Sequence, residues 1–169
     1  MKKNIDLDLT SDEKQLLKVK GVTQKSIPNY AIDEIITLLS ASSDRAKVFR
    51  ALIEFQDIPS IGIKFAKDLM LLGYYNLDSL KPKLGPELLD NYEKLIGCWT
   101  DPCVEDQFWL VVHHANNPNN NKQWWDFTPE RKAFRKQYGY PINRPVKAWY
   151  DNAKSAAYFK SKELGTISD

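Results

Sequence analysis

Long apolar runs, cysteine and an excess of charge of one sign are all scarce in this chain of 169 residues. No apolar stretch approaches the roughly 18 residues that a membrane-spanning helix requires. The opening Met1-Lys2-Lys3-Asn4 turns polar at once, so a cytoplasmic protein without a secretory signal is expected. The two cysteines, Cys98 and Cys103, are too few for a disulfide framework and should remain thiols in a reducing compartment. With 24 basic and 22 acidic residues the formal charge is +2, far from the cationic excess usual for nucleic-acid binders. A zinc site built from Cys103 and His114 is excluded too. They lie eleven residues apart on one predicted helix, roughly 16 Å at 1.5 Å per residue, too far for one ion. Neither a nucleophile with its base nor a phosphate-binding Gly-Lys-Ser/Thr loop is found, so a non-catalytic protein is expected.

What the sequence does contain is a succession of helical patterns punctuated by proline and glycine. Ser11 reads as the N-cap of a helix over 11–19, which Gly21 stops. Ile32, Ile35, Ile36 and Leu39 carry helical spacing, and Ser42-Ser43-Asp44 caps the next helix, bearing Phe49, Leu52 and Phe55. A further helix from about Gly62 to Leu72 ends at Gly73, and others are expected at about 86–96 and from Pro102 to Ala115, after an Asp101 N-cap. Thr128-Pro129-Glu130 repeats that start signal, and Arg144-Pro145 precedes a last amphipathic helix bearing Val146, Trp149, Ala153 and Ala157. No strand pattern competes. The expected fold is all-α: a tandem helix-hairpin-helix-like region over 1–97, its second motif at 56–73, and a C-terminal helical, aromatic and basic extension over 98–169.

Charge is unevenly spread. Between Lys122 and Lys162 ten basic residues face three acidic ones, a net +7, whereas residues 56–97 hold five basic and six acidic groups. On the helix opened by Thr128, Arg131 and Arg135 are four apart, as are Lys132 and Lys136, which predicts a basic strip. Interleaved aromatic residues, Trp124, Trp125, Phe127, Phe134 and Tyr138, suit either a core or base stacking.

The segment Ile58-Pro59-Ser60-Ile61-Gly62-Ile63-Lys64-Phe65-Ala66 resembles the helix-hairpin-helix motif, with Ser60 where that motif usually has its first glycine. Such a turn leaves the first N–H groups of the second helix pointing outward at the positive end of the helix dipole, a seat for phosphate that is blind to base identity. Ser60, Ile61, Gly62, Ile63, Lys64 and Lys67 are therefore candidate nucleic-acid contacts, and Arg131, Lys132, Arg135 and Lys136 a second surface. A fainter hairpin, Leu38 to Ala46, aligns Ala46 with Ala66 and sets Asp44 opposite Lys64; it reads as a structural repeat.

Together with Leu72-Gly73-Tyr74, Trp99-Thr100-Asp101-Pro102-Cys103 and Trp124-Trp125-Asp126-Phe127-Thr128-Pro129, over about 50–135, the hairpin resembles bacterial helix-hairpin-helix proteins of the pathogenicity locus family. The resemblance implies sequence-independent DNA binding, and single-strand or junction structures are the expected targets. It also implies a site for a monovalent cation such as Na+ or K+ at the backbone carbonyls of Gln56, Ile58 and Ile61. Two other readings remain open: a protein-interaction scaffold on the same fold, and a glycosylase-like repair enzyme, since Asp78 follows Pro59 by about the spacing of one glycosylase class.

Overall fold

The computed structural model describes residues 5–23, 26 and 30–151, and these form two compact units, one ending at Leu77 and the other beginning at Asp78. Among the described residues the fold is all-α, with no named strand. None of these helices is long and apolar enough to cross a membrane.

The first unit contains α1 (Ser11–Val19), α2 (Ile32–Leu38), α3 (Ser43–Asp57) and α4 (Ile63–Leu71). The N-cap of α1 is Thr10, one residue before the expected Ser11, because Thr10 and Glu13 form a reciprocal pair. The Glu13 amide donates to Thr10 Oγ1 at 3.2 Å, and the Thr10 amide donates to Glu13 Oε2 at 2.8 Å. Gly21, at φ +74°, ends that helix as expected. Ser42 caps α3 by accepting from the Arg45 amide at 3.2 Å. Leu7, Leu17, Val22, Ile35, Leu39 and Phe49 make one buried cluster, and α3 packs on α4 with Phe55, Ile58, Ile61, Phe65, Ala66 and Leu69 buried. Burying each of the larger side chains among these contributes about 1.5–3 kcal/mol.

An N-terminal strap crosses this unit. The Gln56 carboxamide, itself buried, donates to the Asp6 carbonyl at 2.7 Å and accepts from the Asp6 amide at 3.1 Å. Leu7 then enters the core, and Asp8 turns at φ +52°, its carbonyl accepting from Arg45 Nη2 at 2.7 Å.

The second unit opens with a 3-10 turn, Asp78–Leu80, followed by α5 (Gly85–Ile96), α6 (Pro102–Asn116), a second 3-10 turn at Trp124–Phe127, and α7 (Thr128–Tyr138). The division therefore precedes α5, rather than following Gly97 as the sequence suggested, because α5 packs mainly on α6. The two lie so close that a Cβ on Gly85 would stand 2.9 Å from the Trp109 backbone. Tyr92 and Phe108 meet across this contact with ring centroids 5.8 Å apart. Asp101 caps α6, accepting from the Cys103 amide at 2.8 Å.

Two expectations for this unit are corrected. Thr128 is not an N-cap: it is the first residue of α7, and its hydroxyl donates to Asp106 Oδ2 at 2.7 Å. The last expected helix does not start at Val146, because the backbone there is shared with Trp99. The Trp99 amide donates to Lys147 O and the Trp149 amide to Trp99 O, each at 2.9 Å, in an isolated bridge between Trp99 and Ala148. Ala153, Ala157 and the rest of that expected helix lie outside the described residues.

Candidate nucleic-acid interface

The connection between α3 and α4 is built around one residue in an unusual conformation. Ser60 sits at φ +59°, the left-handed region that favours glycine. Pro59 precedes it, and the Ile61 amide donates to the Ile58 carbonyl at 3.2 Å, the pattern of a type II turn with proline second and a positive φ third. Serine thus takes the glycine place in the turn without changing its course. The α2–α3 connection carries a matching feature twenty residues earlier, Ser40 at φ +48°.

The two helix starts that follow differ. Ser42 caps α3 with its own side chain, whereas Gly62, the N-cap of α4, offers none. Gly62 is exposed, its φ of −109° is open to any residue, and a Cβ there would meet nothing within 4 Å. Folding therefore does not require glycine at this position, and its bare backbone leaves the mouth of α4 approachable. Lys64 is exposed in the first turn, in the place where α3 exposes Asp44.

Other sequence candidates are placed differently. Ile61 is 1% exposed, so its side chain belongs to the core and only its backbone could face a ligand. Ile63 is half-buried. Lys67 is held by the strap, its Nζ lying 2.7 Å from Asp8 Oδ2. Of the three backbone carbonyls proposed for a cation, that of Ile58 accepts the turn hydrogen bond from the Ile61 amide.

The expected strip on α7 is split by the packing of that helix. Arg131 Nε donates to Asp106 Oδ1 at 2.7 Å, with Asp106 buried on α6. Arg135 Nε donates to Glu105 Oε1 at 2.8 Å and its Nη2 to Asp90 Oδ1 at 2.9 Å, while its guanidinium lies 4.2 Å from the centre of the Tyr140 ring. Both arginines thus point inward, onto the buried carboxylates of α6 and the half-buried Asp90 of α5, and of the four only Lys132 and Lys136 remain exposed. The pairing is visible in the proton affinities. Burial pushes the Glu105 carboxyl above its ordinary value, with the Arg135 charge opposing. Burial works against the Arg131 charge, but the hydrogen bond and charge of Asp106 outweigh it and raise its pKa.

Sequence reasoning missed the acidic partners Asp90, Glu93, Glu105 and Asp106, and also Arg144, which pairs with Glu93 at 2.6 Å. Their only sequence signal was acidic residues on otherwise apolar helical faces. Asp78, the glycosylase candidate, is exposed at the start of a 3-10 turn and pairs with Lys81 at 2.6 Å. Cys98 is buried, and burial with the Asp101 hydrogen bond pushes the Cys103 thiol up to about 11. Among the described residues no group of three or more His, Cys, Asp or Glu is arranged to hold a metal.

A family model described as Pathogenicity locus matches residues 49–133, half of the chain. The chain belongs to the pathogenicity locus family. The matched region takes in most of α3, the Ser60 turn, α4, α5, α6 and the first half of α7, so Gly62, Lys64, the buried carboxylates Asp68, Glu93, Glu105 and Asp106, and Arg131 all fall within the family pattern. Asp8, Arg135 and Arg144 fall outside it. The family name records a locus and carries no chemistry. Neither a curated relative nor a solved structure matches the chain.

Proposed function

We propose that this protein binds nucleic-acid backbones without reading their sequence and without catalysis, using the turn from Ser60 to Lys64 as a helix-hairpin-helix element. The observation that carries the proposal is Gly62: an exposed N-cap with open space where a side chain would stand, at the start of a helix whose first turn carries an exposed lysine. A phosphate oxygen at this mouth would meet backbone N–H donors, the positive end of the α4 dipole and the Lys64 ammonium. None of these distinguishes one base from another. The first hairpin is the internal contrast, since its mouth is self-capped by Ser42 and carries Asp44, which repels phosphate.

Fluorescence anisotropy with labelled single-stranded, duplex and forked DNA at several salt concentrations tests the proposal. Log K should fall with log salt by about 0.7–0.9 per phosphate neutralised, and Lys64→Glu should weaken all three substrates alike. A second reading, a protein-interaction scaffold on the same fold, is favoured by the loss of cationic surface where Lys67, Arg131 and Arg135 are paired within the protein. Binding that is absent, or insensitive to salt, would select it.

A further inference from the structure

The second unit carries a surface that the Gly62 mouth does not explain. The 3-10 turn Trp124–Phe127 runs directly into α7 as a nearly continuous helical rod, and within α7 Lys132 and Lys136, spaced by four, share one edge. The inner edge of the same rod is Thr128, Arg131 and Arg135, all bonded to the carboxylates of Asp106, Glu105 and Asp90. Away from that edge the rod exposes Trp125, at 51%, on the turn and Lys132 and Lys136 on α7. The acidic residues of the rod, Asp126 and Glu130, are spaced four apart on a different edge, and Asp126 is occupied in accepting from the Gln123 amide at 2.8 Å.

The half-exposed Trp125 side chain is held by its neighbour. Trp124 and Trp125 meet edge to face, with ring centroids 5.2 Å apart at 82°, which restrains the Trp125 indole while about half of its surface stays in water. From Trp125 to Lys136 the rod spans roughly 18 Å by helical rise, the reach of two or three extended nucleotides.

We infer that Trp125, Lys132 and Lys136 form a contact ridge for single-stranded nucleic acid, the indole stacking on an unpaired base while the two ammonium groups follow the backbone. Charge complementarity favours a polyanion over an apolar partner, because the ridge is lined with cations and its acids face elsewhere. The flat π-face favours unpaired bases over a duplex, whose bases are stacked on one another and offer no face. The ridge lies in a different unit from Gly62 and does not depend on the reading given to that residue.

The test uses the full-length protein with a short labelled oligothymidine and a labelled duplex. Trp125→Ala should weaken oligothymidine binding by about 5- to 100-fold while changing duplex affinity by less than about twofold. Trp125→Phe, which keeps a π-face, should retain most of the affinity. Trp125→Leu, which keeps apolar bulk alone, should not. Lys132→Gln with Lys136→Gln should reduce the salt slope for oligothymidine by about 1.4. Thermal melts that match the parent would show that these exposed substitutions leave the fold intact. The proposal is overturned if Trp125→Leu binds oligothymidine as the parent does. It is overturned equally if a labelled oligoglutamate peptide, and not oligothymidine, depends on Trp125, since the ridge would then dock protein. A Trp125→Ala protein that loses duplex binding and keeps oligothymidine binding would overturn it as well.

Discussion

Arg144 grips Glu93 with two hydrogen bonds, Nε to Oε2 at 2.6 Å and Nη2 to Oε1 at 2.8 Å, although Glu93 is completely buried. The same carboxylate accepts from the Thr100 amide at 2.7 Å and the Thr100 hydroxyl at 3.1 Å. The Arg144 guanidinium also lies 3.6 Å from the centre of the Tyr140 ring. One carboxylate therefore ties α5, the start of α6 and the segment after α7 together.

Removing one partner of a buried pair exposes the other to an unpaired desolvation cost of about 3–5 kcal/mol. Arg144→Ala should fall near the lower end of that range, because the two Thr100 donors still serve Glu93. Urea unfolding of the variant measures this, and a loss below about 1 kcal/mol would mean that the pair contributes little.

The Ser60 turn predicts a gain. A non-glycine residue in the left-handed region costs roughly 1–2 kcal/mol, partly offset in Ser60→Gly by the greater freedom of the unfolded glycine chain. A stabilisation of about 0.5–1 kcal/mol is expected, and Ser60→Val should destabilise. Gly85→Ala is the converse, since its new methyl would meet the Trp109 backbone at 2.9 Å, and overpacking of this kind costs about 1–3 kcal/mol. Chemical denaturation of the three variants should rank them in that order of sign.

How far the sequence spoke can be judged from these same residues. Helix positions, the Ser42 and Asp101 caps and the glycine stops were legible because each depends on residues within one turn of chain. The fate of Arg131 and Arg135 was not. Four-residue spacing places Arg131 with Arg135 and Lys132 with Lys136 on two neighbouring rows, and which row faces inward is decided by Asp106, 25 residues away from Arg131, and Glu105, 30 away from Arg135. Thr128 was misread as a cap for the same reason: the hydroxyl that could have capped α7 is used by Asp106.

Acid should weaken the first unit through Glu13. The Arg45 hydrogen bonds hold its carboxyl below the ordinary value, against a smaller opposing effect of burial. A depressed folded pKa contributes stability above the unfolded value, about 4.3, and loses it as pH falls through the folded one. Glu13→Gln should therefore destabilise at neutral pH and match the parent in strong acid, as urea melts at both extremes would show. Glu105, raised by burial, works in the opposite sense and becomes more favourable to folding as pH falls.

Asp8 competes for Lys67. Exposed ion pairs contribute about 0.2–1 kcal/mol, so releasing Lys67 in Asp8→Asn should raise nucleic-acid affinity by roughly two- to fivefold at low salt. The gain should vanish in a Lys67→Gln background. Anisotropy titrations of the four combinations would show it, and an equal gain in both backgrounds would remove Lys67 from the interface.

The central claim is that a phosphate reaches the backbone at Gly62, and Gly62→Leu tests it most directly. The extended backbone and the open space admit the side chain, so helicity should be unchanged, with stability lowered by about 1 kcal/mol or less for the poorer N-cap. Anisotropy should show duplex affinity weakened by about tenfold or more, equally for unrelated sequences. A folded Gly62→Leu protein that binds every duplex as tightly as the parent would contradict the account.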